Sequence, residues 1–566
     1  MRTLLKNGSV VNVFTGEVTR ADVLLDGKRI LGVGEYERAD LVRDLTGCYL
    51  CPGFIDGHIH IESTMLLPDE FARAAVPHGT TAIVADPHEI ANVCGTDGIS
   101  FLLEASRSLP LTVYFTLSSC VPSTEFDEAG ARLDAAELEP FYRHPRVLGL
   151  AEVMNYPAVI AREPGVMKKI EEALARGLVV NGHAPLLTGH ALDRYIAAGI
   201  GDDHECSSAE EAKERIRKGQ RVMIRQGTAA KNLEALLPLF EEPWAHRCLL
   251  VTDDKHPADL LQGHLDESIR LAARAGKNPV TGIRMATLWA AEHFGLKRVG
   301  AVAPGYRADL VVLRDLAEVS VQDVYYSGEL VVEEGRMVNF EPPRVTAALR
   351  ERVYGAFQLL PVEHFHIEAQ GCRRCRVIQL KKGELLTDEW ITDLDFDKDN
   401  GVDVERDIVK LAVVERHRGT GHRGIGFLSG LGLKNGAIAS SVSHDSHNLI
   451  VAGASERDMV RAAERISALG GGCVVVRDGE VLAEMPLPVA GLMSDLSASE
   501  VARQNAQLRK QAHALGVPEE IEPFMPLAFL SLPVIPHLKM TTRGLTDVDG
   551  QRLVPLFVDG EETLLS

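Results

Sequence analysis

Nine cysteines among 566 residues are too few and too irregularly spaced for a disulfide framework, and an odd count leaves one unpaired. Reduced thiols are the expectation. No run reaches the roughly 18 apolar residues of a membrane-spanning helix. The opening MRTLLKNGSVVNVFTGEV also lacks the apolar core and cleavage site of a secretory leader. These absences predict a soluble, cytoplasmic protein. Positive charge is short as well: 60 Lys and Arg stand against 80 Asp and Glu, a net charge of −20, with no long basic run to form a patch. Nucleic acid and anionic membrane are therefore not expected as partners. Internal repeats and low-complexity segments are missing too, which argues against a solenoid or a disordered scaffold.

What is present is globular. Hydrophobic residues make up 45% and charged residues 25%, with a mean hydropathy of −0.01. At ~150 residues per domain the length suggests about four domains, fewer if one is an α/β barrel of ~250 residues. Residues 1–51 alternate apolar and polar positions between Gly-containing turns, as in ADVLLDGKRILGVG, and the same texture returns over 298–345 in YRADLVVL and ELVVEEGRMVNF. Together these two stretches predict one composite β-sandwich domain. Between them, residues 52–297 alternate strand-sized apolar runs with helix-like stretches, the mark of βα units around a parallel sheet. Eight such runs predict a (β/α)8 TIM-like barrel: 53–60, 80–86, 111–118, 147–153, 178–183, 199–204, 221–226 and 248–253. In one intervening helix Val166, Ile170 and Leu174 recur at i, i+4 and i+8, and Gly177 supplies the stop. Residues 346–566 return to irregular α/β texture, with strand-like VIQL, DIVKLAVVE and GCVVVRDGEVLAEM around a helical DMVRAAERISAL, and predict an additional C-terminal α/β domain.

The chemistry concentrates at the ends of the barrel strands. In GFIDGHIHIE, His58 and His60 sit two apart, so on a strand both imidazoles face the same side and can reach one metal ion. Glu152 in LAEVMN, His183 in VVNGHAP, His204 in GDDHE and Asp253 in LLVTDD end later strands, where a barrel enzyme builds its active site. Six His and carboxylate groups at one mouth are costly as decoration, because partly buried charges cost several kcal/mol each unless paired or metal-bound.

The order of PGFIDGHIHIEST, ADPHEIANV, SCVPS, AEVMN, NGHAP, DDHE, VTDD, DLLQGHLDE and SVSHDSHNLIVAG resembles that of bacterial adenine deaminases, a branch of the amidohydrolase superfamily. The resemblance runs over nearly the whole chain, including the C-terminal domain. It implies that His58 and His60 hold one divalent metal, that His183 and His204 hold a second, and that Glu152 bridges them. Glu152 would stand where many superfamily members carry a carboxylated lysine. Asp253 would contact the first metal and act as the base. The implied reaction converts adenine and water to hypoxanthine and ammonia, for purine salvage or adenine catabolism. A metal makes water nucleophilic enough to attack C6, while carboxylates shuttle protons to N1 and the leaving amine. The resemblance further implies Mn2+ or Fe2+, with Zn2+ also suited to such ligands, and a homodimer. Hydrolysis of a cyclic amide or of a different aminated heterocycle is the alternative activity.

Other positions carry two readings each. Glu62, just past the His-x-His, is a catalytic acid or adenine contact, or else a surface carboxylate. Asp86 and His88 in ADPHE line the site and orient its ligands, or cap the next helix. Arg225 hydrogen-bonds the purine or pairs with a barrel carboxylate. Asp203, Glu205 and Asp254 adjoin expected ligands, and strand alternation turns them away toward solvent or structural ion pairs. In the C-terminal domain His444, Asp445, His447 and Asn448 form a polar loop that supplies a lid or substrate contact, holds an extra metal, or only packs. Cys372 and Cys375 form a lone CxxC, which does not make a zinc ribbon. The Gly-rich HRGTGHRGIGFLSGLG opens no clear βαβ helix and gives no nucleotide site.

Overall fold

A computed structural model describes residues 1–228, 230–369, 371–381 and 385–558. They fall into two compact units. The first comprises Met1–Pro87, Leu102–Ser119 and Asp134–Val345; the second comprises His88–Phe101, Cys120–Leu133 and the described residues from Thr346 onward.

The first unit contains eight parallel strands in chain order: β1 (Phe54–Ile59), β2 (Thr80–Ala85), β3 (Thr112–Leu117), β4 (Val147–Val153), β5 (Val179–Gly182), β6 (Asp202–Asp203), β7 (Arg221–Arg225) and β8 (Cys248–Val251). Strands β1 to β5 form one sheet and β6 to β8 another. The ring closes through single backbone bonds. Gly201 N–H donates to Val180 O (2.9 Å), Asp253 N–H to His58 O (3.0 Å) and His60 N–H to Asp253 O (3.4 Å). This is the expected TIM-like barrel. Strands covered on both faces read as continuous apolar runs, as TTAIVA in β2 does.

Strand β6 is only two residues long, shorter than the run at 199–204 predicts. Its carboxylates take backbone donors that a longer ladder would use: Asp202 Oδ1 accepts from Gly182 N–H (3.0 Å) and Asp203 Oδ2 from Ala184 N–H (3.1 Å). The helix Pro164–Ala175 forms where its periodicity predicts, but the buried stripe is Met167, Ile170 and Ala173, and Leu174 is 41% exposed. An i, i+3 step fits the 3.6-residue turn as well as i, i+4, and here it decides which side faces inward. Gly177, at φ 69°, sits in the left-handed conformation that ends the segment.

Residues before and after the barrel share one nine-stranded sheet. It is joined where Tyr49–Pro52 pairs antiparallel with Leu310–Leu313, over a core that includes Leu5, Val10, Val23, Leu50, Leu310 and Val312.

The second unit is built on an eight-stranded sheet running from Thr387–Asp393 at one edge to Glu480–Pro486 at the other. The helix Glu456–Leu469 covers it, starting where the Ser455 hydroxyl accepts from Asp458 N–H and stopping at Gly470, φ 71°. Met459, Ala462 and Ile466 pack on Val451, Val474 and Val476, burial of the kind that yields ~1.5–3 kcal/mol per large apolar side chain. The segments 88–101 and 120–133, which lie in the stretch the sequence assigns to the barrel, group with this unit. They are fastened there by Arg352 to Asp97 (2.7 Å), Asn448 Nδ2 to Glu128 O (2.9 Å) and Thr542 Oγ1 to Glu128 Oε2 (2.5 Å).

Candidate active site

Strand β1 ends against the segment after β8, and Asp56 sets that junction. One of its oxygens accepts from His58 N–H and Thr252 N–H (3.2 Å each), the other from the Thr252 hydroxyl (2.5 Å). His58 and His60 then project from one face with ring centroids 4.8 Å apart. Nδ1–H of His60 donates to Asp86 O (3.1 Å), which leaves Nε2 as a lone-pair donor. That nitrogen stands 3.2 Å from Asp253 Oδ1 and 3.4 Å from Glu152 Oε1. His58 Nε2 stands 3.5 Å from Asp253 Oδ1 and makes no hydrogen bond.

Glu152 lies at the end of β4 between the other two histidines. Its Oε2 is 2.6 Å from His183 Nδ1 and 3.0 Å from His204 Nε2. Burial pushes the Glu152 carboxyl up, but the two imidazoles outweigh it and hold it well below the usual carboxylate range. Burial likewise pulls His204 down, yet Glu152 and the carboxylates around it carry it up to about 9. Backbone and side-chain bonds fix this pair in place. Asn181 Nδ2 donates to Asp202 Oδ2 (2.7 Å), His293 Nε2 lies 2.6 Å from the same oxygen, and the Tyr195 hydroxyl accepts from His183 N–H (2.9 Å) while donating to Val153 O (2.8 Å).

Asp253 adopts φ 60°, a left-handed conformation uncommon for a residue with a Cβ. Oδ1 faces His58 and His60, while Oδ2 accepts from Arg225 Nη1 (2.8 Å). Burial would raise the Asp253 carboxyl, but His58, His60 and Arg225 hold it well below the usual range. Arg225 is therefore bound to barrel carboxylates: besides Asp253 it grips Glu205 through both terminal nitrogens, one of them at 3.0 Å, and its Nε donates to Asn232 Oδ1 (2.7 Å).

Glu205 corrects the alternation argument. It does not turn away: its Oε1 lies 3.5 Å from His204 Nε2 and 3.6 Å from His183 Nδ1. Strand β6 ends at Asp203, so the period-two rule no longer applies to residues 204 and 205. Asp203 is indeed in a structural ion pair with Arg215 (3.4 Å), and Asp254 accepts from the Ser63 hydroxyl (2.5 Å). Glu62 is buried, 1% exposed, in the turn Glu62–Thr64, so it is not a surface carboxylate. Asp86 is buried at the end of β2 and contributes its carbonyl to His60.

These groups suit a divalent cation. His58, His60 and Asp253 offer one set of close donor atoms, His58, Glu152 and His204 a second, and His183, His204 and Glu205 a third. His58 Nε2 is buried with no hydrogen bond, and His183 Nδ1 and His204 Nε2 converge to 3.3 Å. Arg225 pairs with Glu205 and Asp253, and the oxygens of these carboxylates and of Glu152, together with the imidazole nitrogens, make up the donor types a divalent ion takes.

The loop at 443–448 builds a buried cluster within the second unit. His88 Nε2 lies 3.6 Å from Asp445 Oδ1, His444 Nδ1 lies 3.9 Å from Glu89 Oε1, and His447 Nε2 lies 3.9 Å from Glu89 Oε2. Ser443 N–H donates to His447 Nδ1 (3.2 Å), which puts the proton of the neutral ring on Nε2. Burial, with His444 and Arg416 close by, keeps that ring neutral. Glu89, His444 and His447 gather close donor atoms, and with Ser443 N–H on Nδ1 the neutral His447 ring presents an N–H toward Glu89. Buried Arg416 holds the loop, its Nε donating to His447 O (2.5 Å) and Nη2 to Ala490 O (2.9 Å).

A parallel barrel with His and carboxylate donors gathered at its strand ends defines a metal-dependent hydrolase of the amidohydrolase class, and the amidohydrolase family model matches residues 49–331. The model for the adenine deaminase C-terminal domain matches residues 384–552. Adenine deaminase 2 of Carboxydothermus hydrogenoformans is 48% identical over 98% of this chain and 96% of its own length. The adenine deaminase of Desulfatibacillum aliphaticivorans is 45% identical over 98% and 97%. Among solved structures, an enamidase is 18% identical, with a TM-score of 0.48, over 61% of this chain and 99% of its own. The chain belongs to the adenine deaminase family.

Proposed function

We propose that this protein deaminates adenine, with water, to hypoxanthine and ammonia. The observation that carries the reading is sequence likeness at 45–48% identity, over 98% of the chain, to proteins named adenine deaminases.

In this reading His58, His60 and Asp253 would hold one divalent ion and His183 and His204 a second, with Glu152 as a further ligand between the two sets. Mixed imidazole and carboxylate ligation suits manganese, iron and zinc alike, and the likeness to adenine deaminases favours manganese or iron. A bound divalent ion supplies one thing, the acidification of water at neutral pH. The chain's own groups handle the protons. Asp253, whose Oδ1 faces the His58 and His60 nitrogens, accepts a proton from the attacking water. As the C6–O bond forms it passes that proton toward N1; it then takes the second proton from the C6 hydroxyl and gives it to the exocyclic amine, so that the C6–N bond breaks and ammonia leaves. Glu62 is assigned as the acid at N1 or as an adenine contact. His88, Asp445, His444 and His447 are assigned to substrate contact or closure, a role their buried hydrogen-bonding groups support.

No helix among the described residues is long and apolar enough to cross a membrane. A cytoplasmic homodimer serving purine salvage is part of the same proposal, and sedimentation of the purified protein checks the dimer. The deciding assay is ammonia release from adenine by protein supplied with Mn2+, beside a chelated sample and a panel of other aminated heterocycles and cyclic amides. Metal-dependent hypoxanthine formation is expected. Turnover of a cyclic amide ~1000-fold better in kcat/KM, worth ~4 kcal/mol in transition-state binding, would overturn the adenine assignment.

A further inference from the structure

We infer that Arg225 is a positioning residue, a clamp that divides the two oxygens of Asp253 between separate tasks and restrains Glu205 with the same guanidinium. The inference rests on the reading of the barrel site given above.

Geometry makes the case. Arg225 ends β7 and pairs with Val251 of β8, so its side chain runs alongside the chain that continues into Asp253. Nε donates to Asn232, Nη1 to Asp253 Oδ2 and Glu205 Oε1, and Nη2 to Glu205 Oε2. That occupies four of the five N–H donors a guanidinium carries. A purine would have to displace one of these charge-assisted bonds to be read by Arg225. The direct substrate contact considered for it therefore gives way to a role through its carboxylate partners.

The clamp acts on orientation. Asp253 sits on left-handed backbone at φ 60°, where neighbouring strand geometry does not dictate the direction of the side chain. With Oδ2 fixed on Arg225 at 2.8 Å, the carboxylate cannot rotate about Cβ–Cγ, and Oδ1 stays turned to His58 and His60. Glu205 is restrained the same way. Its Oε1 is already 3.5 Å from His204 Nε2 and 3.6 Å from His183 Nδ1, close enough to move in between the imidazoles if released. One guanidinium therefore holds Asp253 toward His58 and His60 and keeps Glu205 from moving in between His183 and His204. Lysine, a point charge without the planar fork, cannot hold both.

The test compares wild type, Arg225→Lys and Arg225→Ala, each purified with Mn2+ and analysed for bound metal before kinetics. In Arg225→Lys, kcat for adenine is expected to fall about 100-fold, as misplacement of a reacting group by ~1 Å does. KM should change less than threefold and metal content should match wild type. Added guanidinium ion should restore part of the lost kcat in Arg225→Ala, saturably. Three results would overturn the clamp: unchanged kcat in both variants, a rise in KM with kcat retained, or loss of activity wholly explained by loss of bound metal. Failure of wild type itself to deaminate adenine would instead count against the proposed reaction, with the metal content of the three proteins still comparable.

Discussion

Nδ1 of His183 stands 3.3 Å from Nε2 of His204, and both nitrogens face a single oxygen of Glu152. With one N–H and one lone pair the two nitrogens make a hydrogen bond; with both lone pairs free they and the carboxylate can ligate a shared cation instead. Removing divalent metal with a chelator is therefore expected to lower the melting temperature, because a ligand present at 100 times its Kd stabilises by about 2.7 kcal/mol. Calorimetry before and after chelation, then after Mn2+ is restored, reads this directly; an unchanged Tm would speak against a cation in the barrel.

Glu152→Gln should break the bridge while sparing the barrel. The amide keeps the volume but loses the charge that balances His183 and His204. Bound metal per chain and kcat should both drop, with the far-ultraviolet circular dichroism unaltered. Full metal content with normal turnover would remove Glu152 from the site.

Asp253→Asn separates binding from chemistry. His58, His60 and Glu152 remain, so most of the metal should stay, whereas proton transfer by a positioned base is worth roughly 100- to 10,000-fold in rate. The expected result is a kcat lower by that factor with metal retained. Turnover near wild type would assign the proton transfer elsewhere.

Lys539 gives a prediction about pH. Its side chain is fully buried in the strand Leu538–Thr541, donates to Leu385 O (3.0 Å), and burial pulls its ammonium down to about 7 from an ordinary 10.5. Between those values the unfolded chain binds more protons than the folded one, so this residue makes stability rise with pH across that window. Below pH 7 its full cost, several kcal/mol, is borne. Lys539→Met should therefore raise Tm more at pH 7 than at pH 10. Equal gains at both values would show that the ammonium keeps its charge inside the fold.

Asp202 accepts from Gly182 N–H, Asn181 Nδ2 and His293 Nε2. Asp202→Ala leaves buried donors without partners at ~1–3 kcal/mol each, beside the strand that carries His183. Thermal melting should fall by several degrees and the affinity for metal should weaken with it. A melting temperature within a degree of wild type would mean that water replaces the carboxylate.

The barrel and its principal donors were legible because they obey local rules. His58, His60, Glu152, His183, His204 and Asp253 each lie at or just past the end of a run read as a strand, and a parallel barrel brings such positions to one end. Glu205 was not legible for the converse reason: alternation was applied beyond Asp203, where the strand has already ended. The partners of Arg225 depend on side-chain reach across two neighbouring strands, which no one-dimensional pattern encodes. Leu174 misled because a stripe at i, i+4 and its neighbour at i, i+3 differ by only a small rotation of the helix. The fate of residues 88–101 and 120–133 was hidden for a further reason, since the core that receives them is built from chain beginning at Thr346, which no local pattern encodes.

That last feature has a temporal side. The segments His88–Phe101 and Cys120–Leu133 belong to a unit whose remaining chain starts at Thr346, so they emerge from the ribosome about 200 residues before their packing partners. At ~5–20 residues per second they wait roughly 10–40 s. The barrel's strands are therefore made while apolar surface from its own insertions is still exposed, and a chain stopped at Val345 would keep that surface permanently.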